Sequence, residues 1–285
     1  MKNTAVLLSS SPLVLARKGV MAAITQFLVA HNGSVLHMDD HIDSSRELFL
    51  SRLEWDLNGF AIAFADFEEH FKPVADAFQI KYHLALTDYQ PKVAILVSGY
   101  DHCLADLLYR HSTAELPCDI IAIIGSHPAA RRLAEFHGIP FHLLTDPKNK
   151  QASEREITDI LGQEVDLIVL ARYMQILSPE FVGHYLLRLI NIHHSFLPAF
   201  VGAKPYHQAF ERGVKLIGAT SHYVTAGLDE GPIIEQDLMR VSHRDTVEDM
   251  MRKGRDLEKV ALSRAVRWHL ENRVLVYQNK TAVFV

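Results

Sequence analysis

Cysteine, charge of one sign and long apolar runs are all scarce in this chain, and each scarcity removes a class of protein. Cys103 and Cys118 are the only cysteines in 285 residues. They form no C-x-x-C pair and are too few for a disulfide or zinc framework, so a reducing, cytoplasmic setting without a metal site is expected. Lys and Arg number 29 against 34 Asp and Glu, a net charge of -5. Up to Asp88 there are 7 basic and 11 acidic residues, leaving 22 and 23 beyond it. Neither part is the basic module needed to neutralise phosphates along nucleic acid, so no nucleic-acid partner is expected. No run approaches the roughly 18 apolar residues of a membrane helix. The four-residue apolar stretch near the start is short of a secretory core segment, so no membrane association is expected either. Glycine never recurs at a spacing of two, and the patterns G-x-G-x-x-G, G-x-x-x-x-G-K-[ST], G-x-S-x-G and H-E-x-x-H are all missing. The common nucleotide cradles, the esterase elbow and the zinc-protease helix go with them.

What remains is a globular composition, 48% apolar and 22% charged, in a chain long enough for two domains. The first part reads strand 4–9, helix 16–30 closed by Asn32-Gly33, strands 34–42 and 46–55 around a turn at 43–45, helix 60–77 and strand 79–86. That β-α-β-β-α-β order is the ferredoxin-like split arrangement. Asp88-Tyr89-Gln90-Pro91 breaks the pattern, which places domains at 1–88 and 89–285. Short, continuously apolar strands follow at 93–97, 120–124, 141–144, 167–170 and 189–192, alternating with helical stretches as in a parallel sheet buried on both faces. A long loop to about Lys204, a short helix, strands 219–224 and 233–239, a helix over 246–270 and a short tail complete the reading. The predicted fold class is α/β: a ferredoxin-like α+β domain, then a mostly parallel, Rossmann-like domain.

The densest cluster of chemically capable residues is Asn191-Ile192-His193-His194-Ser195-Phe196-Leu197-Pro198, just past the apolar strand ending at 192. Ligands of open α/β sheets bind outside the carboxyl ends of strands. A period of two puts Asn191 and His193 on one side, an amide donor and an imidazole pointing together, with Ile192 turned into packing. The same alternation sends His193 and His194 to opposite faces, which argues against a shared metal ion. The bland alternative is a turn cap at Asn191 and a satisfied loop carbonyl at His193. A second cluster lies at Ser221-His222-Tyr223-Val224-Thr225-Ala226-Gly227-Leu228-Asp229-Glu230-Gly231-Pro232. Its glycines bracket Asp229 in a loop between strands. That makes Asp229 a candidate base, or simply a solvated turn acid.

Asn-x-His followed by Ser-x-Leu-Pro, and later Leu-Asp-x-Gly-Pro, resembles the 10-formyltetrahydrofolate-dependent formyltransferase family. The fuller string from Asn191 to His207, with His rather than Pro at 194, is most similar to its deformylase branch. Ala171-Arg172-Tyr173-Met174-Gln175-Ile176-Leu177-Ser178-Pro179-Glu180-Phe181 resembles the family's folate-binding segment. The first 88 residues look like the ACT domain that precedes this kind of enzyme.

The resemblance implies a hydrolase that converts 10-formyltetrahydrofolate and water to formate and tetrahydrofolate. It would supply formate for purine synthesis and balance the one-carbon pool, the folate being substrate and no cofactor being used. It gives Asn191, His193 and Asp229 as the catalytic residues. Asn191 and protonated His193 would donate to the oxyanion, a kind of bond whose loss costs about 2–4 kcal/mol. Asp229 would pair with His193 and accept or relay the proton of the attacking water. Met174, Gln175, Ile176 and Leu177, with His222, would line the folate site. Two alternatives are formyl transfer to an amine and an amino-acid sensor with an inactive catalytic domain. The glycinamide ribonucleotide transformylases resemble the chain too, but they carry Gly-Asn-Gly-Ser after the first strand to hold a phosphate, where this chain has Ser98-Gly99-Tyr100-Asp101-His102-Cys103. For the N-terminal domain the resemblance implies a small amino-acid effector and a homo-oligomer, dimer or tetramer. Ala16 stands where an acid is often found three residues before the glycine that opens the first helix.

Overall fold

The computed structural model describes residues 3–16, 18–199 and 205–285. Within these bounds the chain divides into two units, 1–89 with 271–278 and 282–285, and 90–270 with 279–281. Residues 271–278 and 282–285, expected with the second domain, belong instead to the first. Arg17, the Ala16 side chain and residues 200–204, which include the middle of the Asn191-to-His207 string, lie outside the described residues.

The first unit runs β1 (Thr4–Pro12), α1 (Leu13–Ala16), α2 (Val20–Ala30), β2 (Ser34–Asp43), β3 (Leu48–Asp56), α3 (Phe67–Ala77) and β4 (Lys81–Leu86). Its sheet has the order β2-β3-β1-β4, every pairing antiparallel. The β2–β3 turn falls at 44–47 rather than 43–45, because the Asp43 carboxylate accepts the backbone N–H groups of Ser45 and Arg46 and so begins the turn. Alternation gives the sheet two apolar faces. Ala5, Leu7, Phe49, Leu53 and Trp55 meet Ile24 and Leu28 of α2 and Phe67 and Phe71 of α3. Val6, Leu8 and Leu50 meet Leu275, Ala282 and Phe284 of the C-terminal tail. That tail is a hairpin, β12 (Val274–Tyr277) with β13 (Lys280–Val283), where the sequence suggested only a short tail.

The second unit runs β5 (Lys92–Val97), α4 (His102–Ser112), β6 (Asp119–Gly125), α5 (Arg131–Phe136), β7 (Phe141–Leu143), α6 (Lys150–Leu161), β8 (Leu167–Ala171), α7 (Pro179–His184), β9 (Leu189–His193), α8 (Pro205–Arg212), β10 (Leu216–Tyr223), β11 (Ile233–Arg240) and α9 (Val247–Leu270). Seven strands form one sheet in the order β11-β10-β9-β8-β5-β6-β7. The five from β9 to β7 are parallel, and β10 and β11 add an antiparallel edge. β5, β6 and β8 are almost wholly buried, as two covered faces require. Ala94, Leu96, Ile168 and Leu170 pack with Ile157 and Leu161 of α6 and Phe181 and Val182 of α7. Helix α9 packs against β10, β11 and α4. The strand order reverses between β5 and β8. The loops that follow these strands therefore diverge, which opens a crevice at their carboxyl ends beside the end of β9.

Candidate active site

Strand register assembles the site. β9 pairs antiparallel with β10, so His222 faces Asn191 and Thr220 faces His193. Residues opposite one another in such a pair share a face, which places Asn191, His193 and His222 together at the strand ends. Asp229 arrives from the β10–β11 loop with φ of 55°. The loop folds so closely that a Cβ on Gly231 would lie 1.7 Å from the Tyr223 carbonyl oxygen. Only glycine permits that return, and it carries the Asp229 carboxylate back over the strand ends.

His193 is 6% exposed. Its Nδ1 pairs with Asp229 Oδ2 at 3.2 Å, and its Nε2 is buried with no hydrogen-bond partner among the described residues. His222 Nδ1–H donates to the Tyr223 carbonyl at 2.9 Å, leaving Nε2 to accept from Asn191 Nδ2 at 3.2 Å. The contact of His222 Nε2 with Asp229 Oδ1, at 3.6 Å, is electrostatic rather than a hydrogen bond. Asn191 keeps its second amide hydrogen. The His193 hydrogen bond, with His222 beside it, holds the Asp229 carboxyl well below the usual carboxylate range, against the opposing effect of burial. A carboxylate so strongly favoured in its ionised form orients and balances a histidine well but accepts protons poorly. All three expected catalytic residues and His222 are thus brought together. The base role expected of Asp229 does not suit its environment.

Residues 172–177 leave the carboxyl end of β8, whose Leu170 pairs with Asn191. Met174, at 59%, and Ile176, at 62%, are exposed, Leu177 packs on the core beneath, and Gln175 is half-buried. They form an uncovered apolar shelf at the edge of the crevice. The loop 195–199 is fixed by Thr220, whose hydroxyl donates to the Ser195 carbonyl and accepts from the Leu197 N–H, and by Gln236, which donates to the Leu197 carbonyl.

Two features were missed in the sequence. β9 ends at His193 and the chain bends at His194. The two rings therefore do not diverge; their centroids are 5.3 Å apart. Strand alternation was extended one residue too far. Beside them lies a buried polar network: His102 Nε2–H and Tyr206 Oη–H donate to Glu258 at 2.7 and 2.9 Å, with Arg172 Nε 3.5 Å away. Burial pushes the Glu258 carboxyl up, but these partners outweigh it and hold it below its ordinary value. His102, Cys103 and Glu258 bring three ligand-type atoms within 4.8 Å of one another. The Arg172 cation occupies the same carboxylate, so the group fits a hydrogen-bonded network better than a metal centre. Tyr206 and His102 stand 52 and 156 positions from Glu258 in the chain, and no local pattern announces the network.

Residues 91–266 match the formyl transferase family. The chain is 50% identical over 283 residues to a formyltetrahydrofolate deformylase of Synechocystis sp., covering 99% of this chain and 98% of that one. Among solved structures, a formyltetrahydrofolate deformylase from Pseudomonas syringae pv. tomato superposes with a TM-score of 0.95 at 46% identity, covering 100% of this chain and 95% of that one. A glycinamide ribonucleotide transformylase from Symbiobacterium toebii gives 0.66 at 30% identity, covering 71% and 98%.

Proposed function

Since the chain belongs to the formyl transferase family, and within it to the formyltetrahydrofolate deformylases, we infer that it hydrolyses 10-formyltetrahydrofolate to formate and tetrahydrofolate. The formate becomes available for purine synthesis. The observation that carries this reading is the pairing of His193 Nδ1 with Asp229, which leaves Nε2 without a partner among the described residues, on the strand face it shares with Asn191.

The N10-formyl group is an amide, and its hydrolysis passes through a tetrahedral oxyanion. The free hydrogen of Asn191 Nδ2 and the Nε2–H of protonated His193 are the donors for that oxygen. Asp229 stays ionised throughout, orients the imidazole and balances its charge. His222 fixes the Asn191 amide. The folate rests against Met174, Gln175, Ile176 and Leu177, whose exposed apolar surface suits a flat heterocycle. No cofactor has a role in this scheme.

Water is the acceptor in this reading, and the loop after β5 supports it. Ser98 bonds Ser126 and the Tyr173 carbonyl, Tyr100 lies against the Arg172 guanidinium, and His102 is bound to Glu258. These side chains are taken up by Ser126, Tyr173, Arg172 and Glu258, and the loop has one glycine, a bulky Tyr100 and the acidic Asp101 where a phosphate would have to sit. The test is incubation with 10-formyltetrahydrofolate and no acceptor. Formate should appear; turnover only after an amine is added would favour the transferase alternative.

A homo-oligomer is part of the same proposal, supported by the edge strand β2 of the first unit, which exposes Leu36, Met38 and Ile42. An amino-acid effector at that unit is carried by the ACT resemblance alone, and calorimetric titration with free amino acids tests it. A cytoplasmic setting agrees with two unpaired, buried thiols.

A further inference from the structure

We propose that His194 is a further catalytic residue of this site, its uncharged imidazole orienting the attacking water and taking up the water's proton. The inference rests on the hydrolase reading and supplies the base that reading lacks. Asp229 is unsuited to the task, and His193 is committed to donating from Nε2 while Nδ1–H is held by Asp229.

His194 meets the requirements by position. The bend after β9 sets its ring 5.3 Å from that of His193, centroid to centroid. The His194 imidazole thus lies directly beside the ring that polarises the formyl oxygen, on the same side of the strand end. Its ring nitrogens have no partner among the described residues, and they are not sealed off from water. Asn191, His193 and His222, by contrast, are each tied to a neighbour.

The charged and titratable groups around His194 come from five elements: His193 on β9, Asp229 on the β10–β11 loop, Arg172 after β8, Tyr206 on α8 and Glu258 on α9. Burial first, then the Arg172 guanidinium, lower the imidazole to about 4, with Glu258 and Asp229 opposing. The ring is therefore neutral near pH 7 with a lone pair to orient the water, and although its basicity is reduced it remains a better proton acceptor than the Asp229 carboxylate. Glu258, held as an anion by His102, Tyr206 and Arg172, eases the charge that His194 gains when it is protonated.

The step balances. The water oxygen bonds to the formyl carbon, its proton passes to His194, and the carbonyl π pair moves to oxygen against Asn191 and His193. Collapse re-forms the carbonyl and breaks the bond to N10, which takes the proton from His194. Formic acid results and ionises.

This role gives water an advantage that an amine does not need, since a neutral amine attacks before losing a proton. Hydroxylamine is the probe. In His194→Gln and His194→Ala, acceptor-free formate release should fall about 100- to 10,000-fold. Formyl transfer to added hydroxylamine should persist, which also shows that the variants fold and bind folate. Free imidazole should restore part of the hydrolysis in His194→Ala. Equal losses of hydrolysis and hydroxylamine transfer, or hydrolysis unchanged, would overturn the assignment. A wild-type protein that releases no formate at all would overturn it together with the hydrolase reading.

Discussion

Asp229 illustrates how environment redirects a side chain. Its carboxylate is stabilised by His193 first and His222 second, so it remains ionised far below neutral pH. Asp229→Asn should lower turnover by about two to four orders of magnitude, because the amide no longer balances the charge of the His193 imidazolium or holds its orientation as firmly. Folate binding should survive, as equilibrium titration with tetrahydrofolate would show. The sign of its linkage follows from the lowered value. Whatever stability the group contributes is present above about pH 4, the ordinary aspartate range, and is lost as pH falls toward its folded-state value. The cysteines are shifted the other way. Burial, with the nearby Asp119 charge, pushes the Cys118 thiol up to about 12, and burial with Glu258 drives Cys103 well above its ordinary value. Both should stay protonated at pH 8 and unreactive toward a thiol reagent such as Ellman's until denaturant is added, when two thiols should titrate. Asn191, His193 and Asp229 were legible because each sits in a compact motif with turn residues near it. His194 stood in the same motif, but strand alternation assigned it to the wrong side.

Strands and helices show which periodic signals survive. The buried runs of β5, β6 and β8 were readable because a strand covered on both faces has no polar positions. β2 was readable as a strand from its neighbours, yet its exposure follows only from its place at the sheet edge. An edge with apolar side chains and unpaired backbone groups invites another strand. If β2 is where copies associate, Met38→Lys should lower the mass measured by light scattering without unfolding the protein. An unchanged mass would move the interface elsewhere. The network of His102, Arg172, Tyr206 and Glu258 joins α4, the segment after β8, α8 and α9, and no single element carries its signal. Its packing is tight: a Cβ on Gly254 of α9 would lie 1.9 Å from the Tyr206 hydroxyl.

Across the whole chain, the surprise is the tail. Residues 271–278 and 282–285 join the first unit, where Leu275, Ala282 and Phe284 cover Val6, Leu8 and Leu50. Deleting 274–285 should expose that sheet face and destabilise the first unit, each buried aliphatic side chain contributing about 1.5–3 kcal/mol. Differential scanning calorimetry should show the lowest-temperature transition moving down by several degrees, and an unmoved transition would mean the hairpin is dispensable. Composition and local pattern, by themselves, pointed to two domains, their fold classes and the residues of the candidate site. Those properties depend on neighbours within a turn or a strand, where spacing fixes which side chains share a face. Tertiary structure alone decided the ionisation bias of Asp229 and His194, the Glu258 network and the docking of the tail. Each depends on groups brought together from distant parts of the chain, where burial and charge act through space.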